Sequence, residues 1–203
     1  MNIATDILQW ISNSLMLPDI FLLLVLMAMT VMRLGGFAGE AIARLRSRGA
    51  FVGFVRQLKR SRRSPVQVED VPANYGLPRR AMAELKDTFG HSDKTLEDLQ
   101  LQAEASLKKL HIGIRIGPML GLVGTLIPLG PALRGLAGGD LNMLANNLIV
   151  AFATPVVGIT IGGLSFFMHT VRQRWYNHDL NDIEFVVRCI AADRTPAPAG
   201  SER

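Results

Sequence analysis

A single cysteine, Cys189, stands among the 203 residues, so no disulfide framework can be built, and a buried structural thiol is its expected role. Charge is scarce as well, with 19% Asp, Glu, Lys and Arg. No charged residue occurs between Asp140 and Arg172, and no Lys or Arg precedes Arg33. Those gaps, with a mean hydropathy of +0.25, describe a membrane protein with basic loops rather than a soluble nucleic-acid binder. Residues 34–111, the longest stretch outside the apolar segments, show no Gly-rich phosphate loop, no paired carboxylates and no metal-ligand cluster. The four histidines, His91, His111, His169 and His178, are spread along the chain and read as non-ligands. An enzyme therefore has no residue support, and neither a cofactor nor a metal is expected.

Three apolar segments are present. The first, 15–33, is interrupted only by Pro18 and Asp19 near its start; the second covers 112–134; the third covers 144–171. Each is long enough for a hydrocarbon core of roughly 30 Å. The class expected is all-α, an integral membrane protein of three transmembrane helices with long cytoplasmic helical extensions. Residues 33–63 carry nine Lys or Arg against one Glu, whereas the segment before the first span carries only Asp6 and Asp19. The positive-inside rule then puts the N-terminus outside, and 34–111 and the C-terminus in the cytoplasm. Lipid headgroups, not nucleic acid, are the expected contact of the basic cluster.

Residues 1–14 lack a positive n-region, so a cleaved signal peptide is not expected. Ile3, Ile7, Trp10, Ile11 and Leu15 recur at helical spacing and suggest an amphipathic helix on the outer interface. Residues 64–79 hold three prolines and a glycine and read as a loop. A helix is predicted from Ser92, with Leu96, Leu99, Ala103, Leu107 and Leu110 on one stripe. An outer turn is expected over 135–143, a cytoplasmic helical extension over 172–192, and a disordered tail over 193–203.

The second span carries Gly113, Gly117 and Gly121 at four-residue intervals, then Gly124 and Thr125; the third carries Thr154, Gly158 and Gly162. Small residues at this spacing predict close helix packing, within a protomer or between protomers. Pro118, Pro128, Pro131 and Pro155 lie in or beside the spans. Pro155 cannot donate to the carbonyl of Ala151, leaving an acceptor for protein or water to satisfy. No Asp, Glu, Lys or His lies in the middle of a span. If the protein conducts ions, another chain must supply the carboxylate, and hydroxyls here can only line the route.

Pro118, Gly121, Gly124 and Thr125 resemble the second-span P-x-x-G-x-x-G-T signature of the MotA/TolQ/ExbB proton channel family. Ala153 and Thr154 with a following glycine resemble its third-span A-T-x-x-G motif. One span, a basic cytoplasmic insertion and a close pair of spans are similar to the three-span ExbB/TolQ branch. Two departures stand out: Pro128 replaces a usual glycine, and Pro155 follows Thr154, with Gly158 one residue later than usual.

The resemblance implies a stator-like ion-channel subunit of an ion-motive-force-driven motor in the cell inner membrane. It implies a pentameric ring around a dimer of a single-span ExbD/TolR/MotB-like partner whose Asp carries H⁺ or Na⁺. Thr125 and Thr154 then line the ion path, and Gly113, Gly117, Pro118, Gly121, Gly124, Pro155, Gly158 and Gly162 set the helix approach. Asn146, Asn147 and Thr160 are candidates for an outer entrance. Two other classes remain open on the residues alone: a transporter permease subunit, and a structural scaffold that merely oligomerises.

Overall fold

The computed structural model describes residues 3–60, 68–87 and 92–194. His91 and residues 195–203 of the tail expected to be disordered over 193–203 lie outside them; the tail's first two residues, Asp193 and Arg194, are the end of a helix. All regular structure in the described residues is helical: α1 (Ile3–Arg60), a 3₁₀ turn (Val68–Asp70), α2 (Gly76–Asp87), α3 (Ser92–Ala137) and α4 (Leu141–Arg194). Three helices, α1, α3 and α4, are long and apolar enough to cross a membrane.

Three sequence expectations about boundaries change. No break separates an interfacial helix from the first span, because α1 runs through Pro18 without interruption. The loop expected over 64–79 ends at Tyr75, and α2 was missed. Pro78 reads as a breaker, yet it sits in the first turn of α2, where its absent N–H breaks no helical bond. Gly76 enters that turn at φ 44°, a left-handed backbone that favours glycine. Leu77, Ala81, Met82 and Leu85 then form a buried face on α2.

The turn between α3 and α4 is tighter than 135–143. Gly139 (φ 75°) reverses the chain after Ala137, and the N–H of Asp140 donates to the Gly135 carbonyl at 2.8 Å. Asp140 then caps α4, its Oδ1 accepting from the Met143 N–H at 2.9 Å.

The chain divides into two compact units. Unit 1 comprises Met1–Gly36 and Lys108–Thr170; unit 2 comprises Phe37–Leu107 and Val171–Arg203. In unit 1, Leu23 and Leu26 of α1 and Ile161 of α4 form the buried cluster, with Met27, Leu120 and Val157 against it. Its outward surface is apolar, including Leu122, Leu126, Phe152, Val156 and Ile159, as a lipid-facing or subunit-facing surface requires.

In unit 2, α2 packs among the extensions of α1, α3 and α4 around Phe51, Leu85, Leu99, Ile183, Val186 and Ile190. Leu99 and Ala103 of the predicted α3 stripe are buried there, with Leu96 and Leu107 partly so. Leu110, the last of the stripe, is buried in unit 1.

Both tyrosines of the chain, Tyr75 and Tyr176, lie buried in unit 2. Burial, then the charge of Asp179, pushes the Tyr75 phenol up to about 12. Burial, then the charge of Glu40, pushes Tyr176 up too. A folded value above the unfolded one, about 10, means stability that is complete below that pH and lost as pH rises through the folded value. The native protein is therefore expected to show almost no tyrosinate absorbance at about pH 10. In denaturant both phenols should be half ionised there, and a native spectrum matching the denatured one would contradict this packing.

Candidate functional site

The glycine ridge of α3 faces α4 of the same protomer. A Cβ on Gly117 would lie 2.9 Å from the Gly158 carbonyl oxygen. One on Gly121 would meet Pro155 Cα and the Thr154 carbonyl at 3.1 Å. Gly113 sits beside Ser165, and Gly162 stands against the Pro118 ring, where a Cβ would be 2.9 Å from its Cγ. The two ridges therefore form one seam in which backbone meets backbone, and glycine is the only residue that allows that approach.

Thr154 is held in the same seam. Its side chain is 6% exposed and lies over Gly124, where an added Cβ would be 2.7–2.8 Å from Thr154 Cβ, Cγ2 and Oγ1. Its hydroxyl donates to the Val150 carbonyl at 3.2 Å, a bond one turn back along α4. Thr125 follows Gly124 on α3 and is more open, its hydroxyl donating to the Leu122 carbonyl at 2.6 Å. The two threonines are thus unlike: one faces the seam, the other stands at its margin.

Asn146, Asn147 and Thr160 do not form one entrance. Asn147 donates to the Met143 carbonyl at 2.8 Å and Thr160 to the Val156 carbonyl at 2.7 Å. Thirteen residues of α4 separate Asn147 from Thr160, about 20 Å of rise, with Thr154 between them.

Sequence reasoning overlooked several groups. Asp19, read as an interruption at the start of the first span, is 7% exposed and faces inward. His111 and His169, far apart in sequence, meet edge-to-face with ring centroids 4.5 Å apart. Beside them, Arg33 donates to the Lys109 carbonyl at 2.7 Å, tying α1 to α3.

Unit 2 holds a charged cluster that spacing gave no hint of. Arg44 Nη2 lies 2.7 Å from Asp179 Oδ2, and Arg172 donates to Glu40 at 3.0 Å. Glu40 also reaches Arg44, at 3.5 Å. At 2.7 Å the buried Arg44 and Asp179 side chains attract as opposite charges. The Arg44 guanidinium also lies 4.8 Å from the Trp175 ring, 5.3 Å from Tyr75 and 5.8 Å from Tyr176. Cys189, ten residues beyond Asp179 on α4, is half-buried, and burial pushes its thiol up.

These observations define a class: an all-helical membrane protein whose second and third apolar helices are locked by glycine ridges around small hydroxyl side chains. The model of the MotA/TolQ/ExbB proton channel family matches residues 79–184, just over half of the chain and including the whole seam. The chain belongs to that family. No match is found among curated proteins or among solved structures.

Proposed function

We propose that this chain is the ring-forming ion-channel subunit of a motor driven by the ion-motive force across a cell inner membrane. Five copies surround two copies of a single-span ExbD/TolR/MotB-like partner, whose membrane Asp carries H⁺ or Na⁺. The N-terminus lies outside and unit 2 in the cytoplasm, where Arg48 and Arg56 line an open groove available to anionic lipid headgroups. The observation that carries the reading is the α3–α4 seam, in a chain of this family, with Thr154 set on Gly124 and Thr125 beside it.

The division of labour has an energetic basis. One charge crossing the membrane yields roughly 2.3 kcal/mol per 100 mV, and a charge at a helix centre costs about 2.5–3.5 kcal/mol on insertion scales. Neutral hydroxyls in every ring subunit avoid that cost, and the acid sits on the partner present in fewer copies. Thr125 orients the carboxylate or its water at the seam's margin, and Thr154 supports that wall from within.

Native mass spectrometry of the detergent-purified complex, with and without a co-expressed single-span partner, tests the assembly. Five copies of the 22.2 kDa chain, gaining two partner chains, are expected. A monomer or dimer that ignores every such partner would favour the permease or scaffold alternatives.

Substitution then tests the path. Thr125→Val is expected to lower ion-dependent activity by about tenfold or more, the equivalent of one lost hydrogen bond of about 1.5 kcal/mol. At position 154 the two parts of the side chain separate: Thr154→Ser keeps the hydroxyl, and Thr154→Val keeps the shape. Activity retained by the serine variant and lost by the valine variant marks an ion-path hydroxyl. Full ion-dependent activity in both valine variants would overturn the assignment of Thr125 and Thr154 to the path.

A further inference from the structure

Asp19, Leu23, Leu26 and Thr30 follow one another along one face of α1, and all four are buried, at 7%, 3%, 8% and 1% exposure. Leu23 and Leu26 pack with Ile161, Leu120 and Val157, so this face looks into the seam with α3 and α4. The Thr30 hydroxyl is satisfied there, donating to the Leu26 carbonyl at 2.8 Å. Asp19 is not. Both its carboxyl oxygens are shielded from solvent, and neither has a hydrogen-bond partner among the described residues.

A bare carboxylate in such surroundings costs several kcal/mol, and an ionisable group within a membrane helix that persists without a partner points to a role in binding an ion. Two observations favour a proton over a metal ion. Among the described residues no three His, Cys, Asp or Glu side chains come together to hold a metal. Asp19 also lies only four residues past Leu15, about 6 Å of helix rise inside the apolar segment, a short step from interfacial water.

We propose that Asp19 is a proton-binding site belonging to this chain itself, distinct from the partner's Asp. One carboxyl oxygen takes a proton from a hydronium ion that reaches the seam, leaving water, and returns it to water in the reverse step. No other bond changes, and no other reactant is needed. The site makes each subunit sensitive to proton activity through the packing of α1 on α3 and α4.

Infrared spectroscopy of the purified full chain in lipid vesicles tests this. A carboxylic acid without hydrogen-bond partners absorbs at higher frequency than one bonded to water. The expected spectrum contains one such high-frequency C=O stretch per chain, which shifts when vesicles are transferred to deuterated water. Asp19→Asn should abolish the band, and Asp19→Glu should restore a displaced one. Identical spectra for the wild type and Asp19→Asn would overturn the proposal. If Asp19→Asn fails to accumulate, wild-type chain carrying carbon-13 at its aspartate carboxyls must show the band moved, and a band unmoved by the label would overturn it equally. The measurement needs only this chain, so it stands or falls separately from the ring and its partner.

Discussion

Gly158→Ala is expected to break the α3–α4 pair, whereas the same change at Gly163 or Gly130 should be harmless. A methyl group at position 158 would lie 2.5 Å from the Gly117 carbonyl oxygen, 2.9 Å from Gly121 Cα and 3.1 Å from Gly121 N. All three are backbone atoms, so no rotamer change relieves the contact and the helices must separate. Overpacking costs about 1–3 kcal/mol where side chains can adjust, and this contact belongs at or above the upper end of that range.

Nothing lies within 4 Å of a Cβ at Gly163 or Gly130, where alanine should gain about 0.5–1 kcal/mol of helix stability. Thermal unfolding of the purified chain in detergent reads both effects. A lower midpoint for Gly158→Ala beside an unchanged or higher one for Gly163→Ala is expected. An unchanged midpoint for Gly158→Ala would mean that α3 and α4 meet in another register. Gly124→Ala is expected to lower both stability and ion-dependent activity: rotation moves Thr154 Cγ2 and Oγ1 away, but Thr154 Cβ, 2.7 Å from the new methyl, is fixed to the backbone.

The seam also marks how far sequence reasoning reached. Hydropathy found the three long helices, because a membrane span leaves a continuous apolar run that needs no partner to be recognised. Spacing found both glycine ridges. It left open whether they meet within a protomer, because a ridge does not say what it faces; the contacts of Gly117 and Gly121 with Gly158 answer that.

Asp19 was visible as a charge, but its burial depends on sharing a stripe with Leu23, Leu26 and Thr30, a signal present in the sequence and passed over. The meeting of His111 with His169, or of Glu40 with Arg172 across 132 residues, leaves no local trace at all. Helix α2 was hidden by Pro78, which stops a helix in its interior but begins one comfortably.

Loss of Arg44 is expected to be the most damaging single change in unit 2, and far worse than loss of its ion-pair partner. Arg44 and Asp179 have side chains only 4% and 3% exposed. Removing one member of a buried pair commonly costs about 3–5 kcal/mol, because the other is left as an uncompensated charge. The two residues are not equivalent, however. Without Asp179, the guanidinium keeps Glu40 and three aromatic rings. Without Arg44, Asp179 keeps the Tyr75 hydroxyl, at 3.5 Å, and the more remote charges of Arg48 and His178, in a site that already disfavours its charge.

Burial is the largest influence on that carboxyl and pushes it up from its ordinary value, against the pull of Arg44. A folded value above the unfolded one gives stability that is full below the unfolded pKa and declines as pH rises through the folded one. Removing Arg44 removes the opposing pull and deepens that decline. Arg44→Met is therefore expected to lose about 3–5 kcal/mol in neutral buffer and to recover part of it in mildly acid buffer. Asp179→Asn should cost about 1 kcal/mol or less, and adding it to Arg44→Met should restore most of the loss, because no charge then remains unpaired. Thermal midpoints of the four proteins at two pH values complete the cycle. Equal losses for the two single variants, with no recovery in acid, would show that the aromatic rings and Glu40 contribute nothing to holding Arg44.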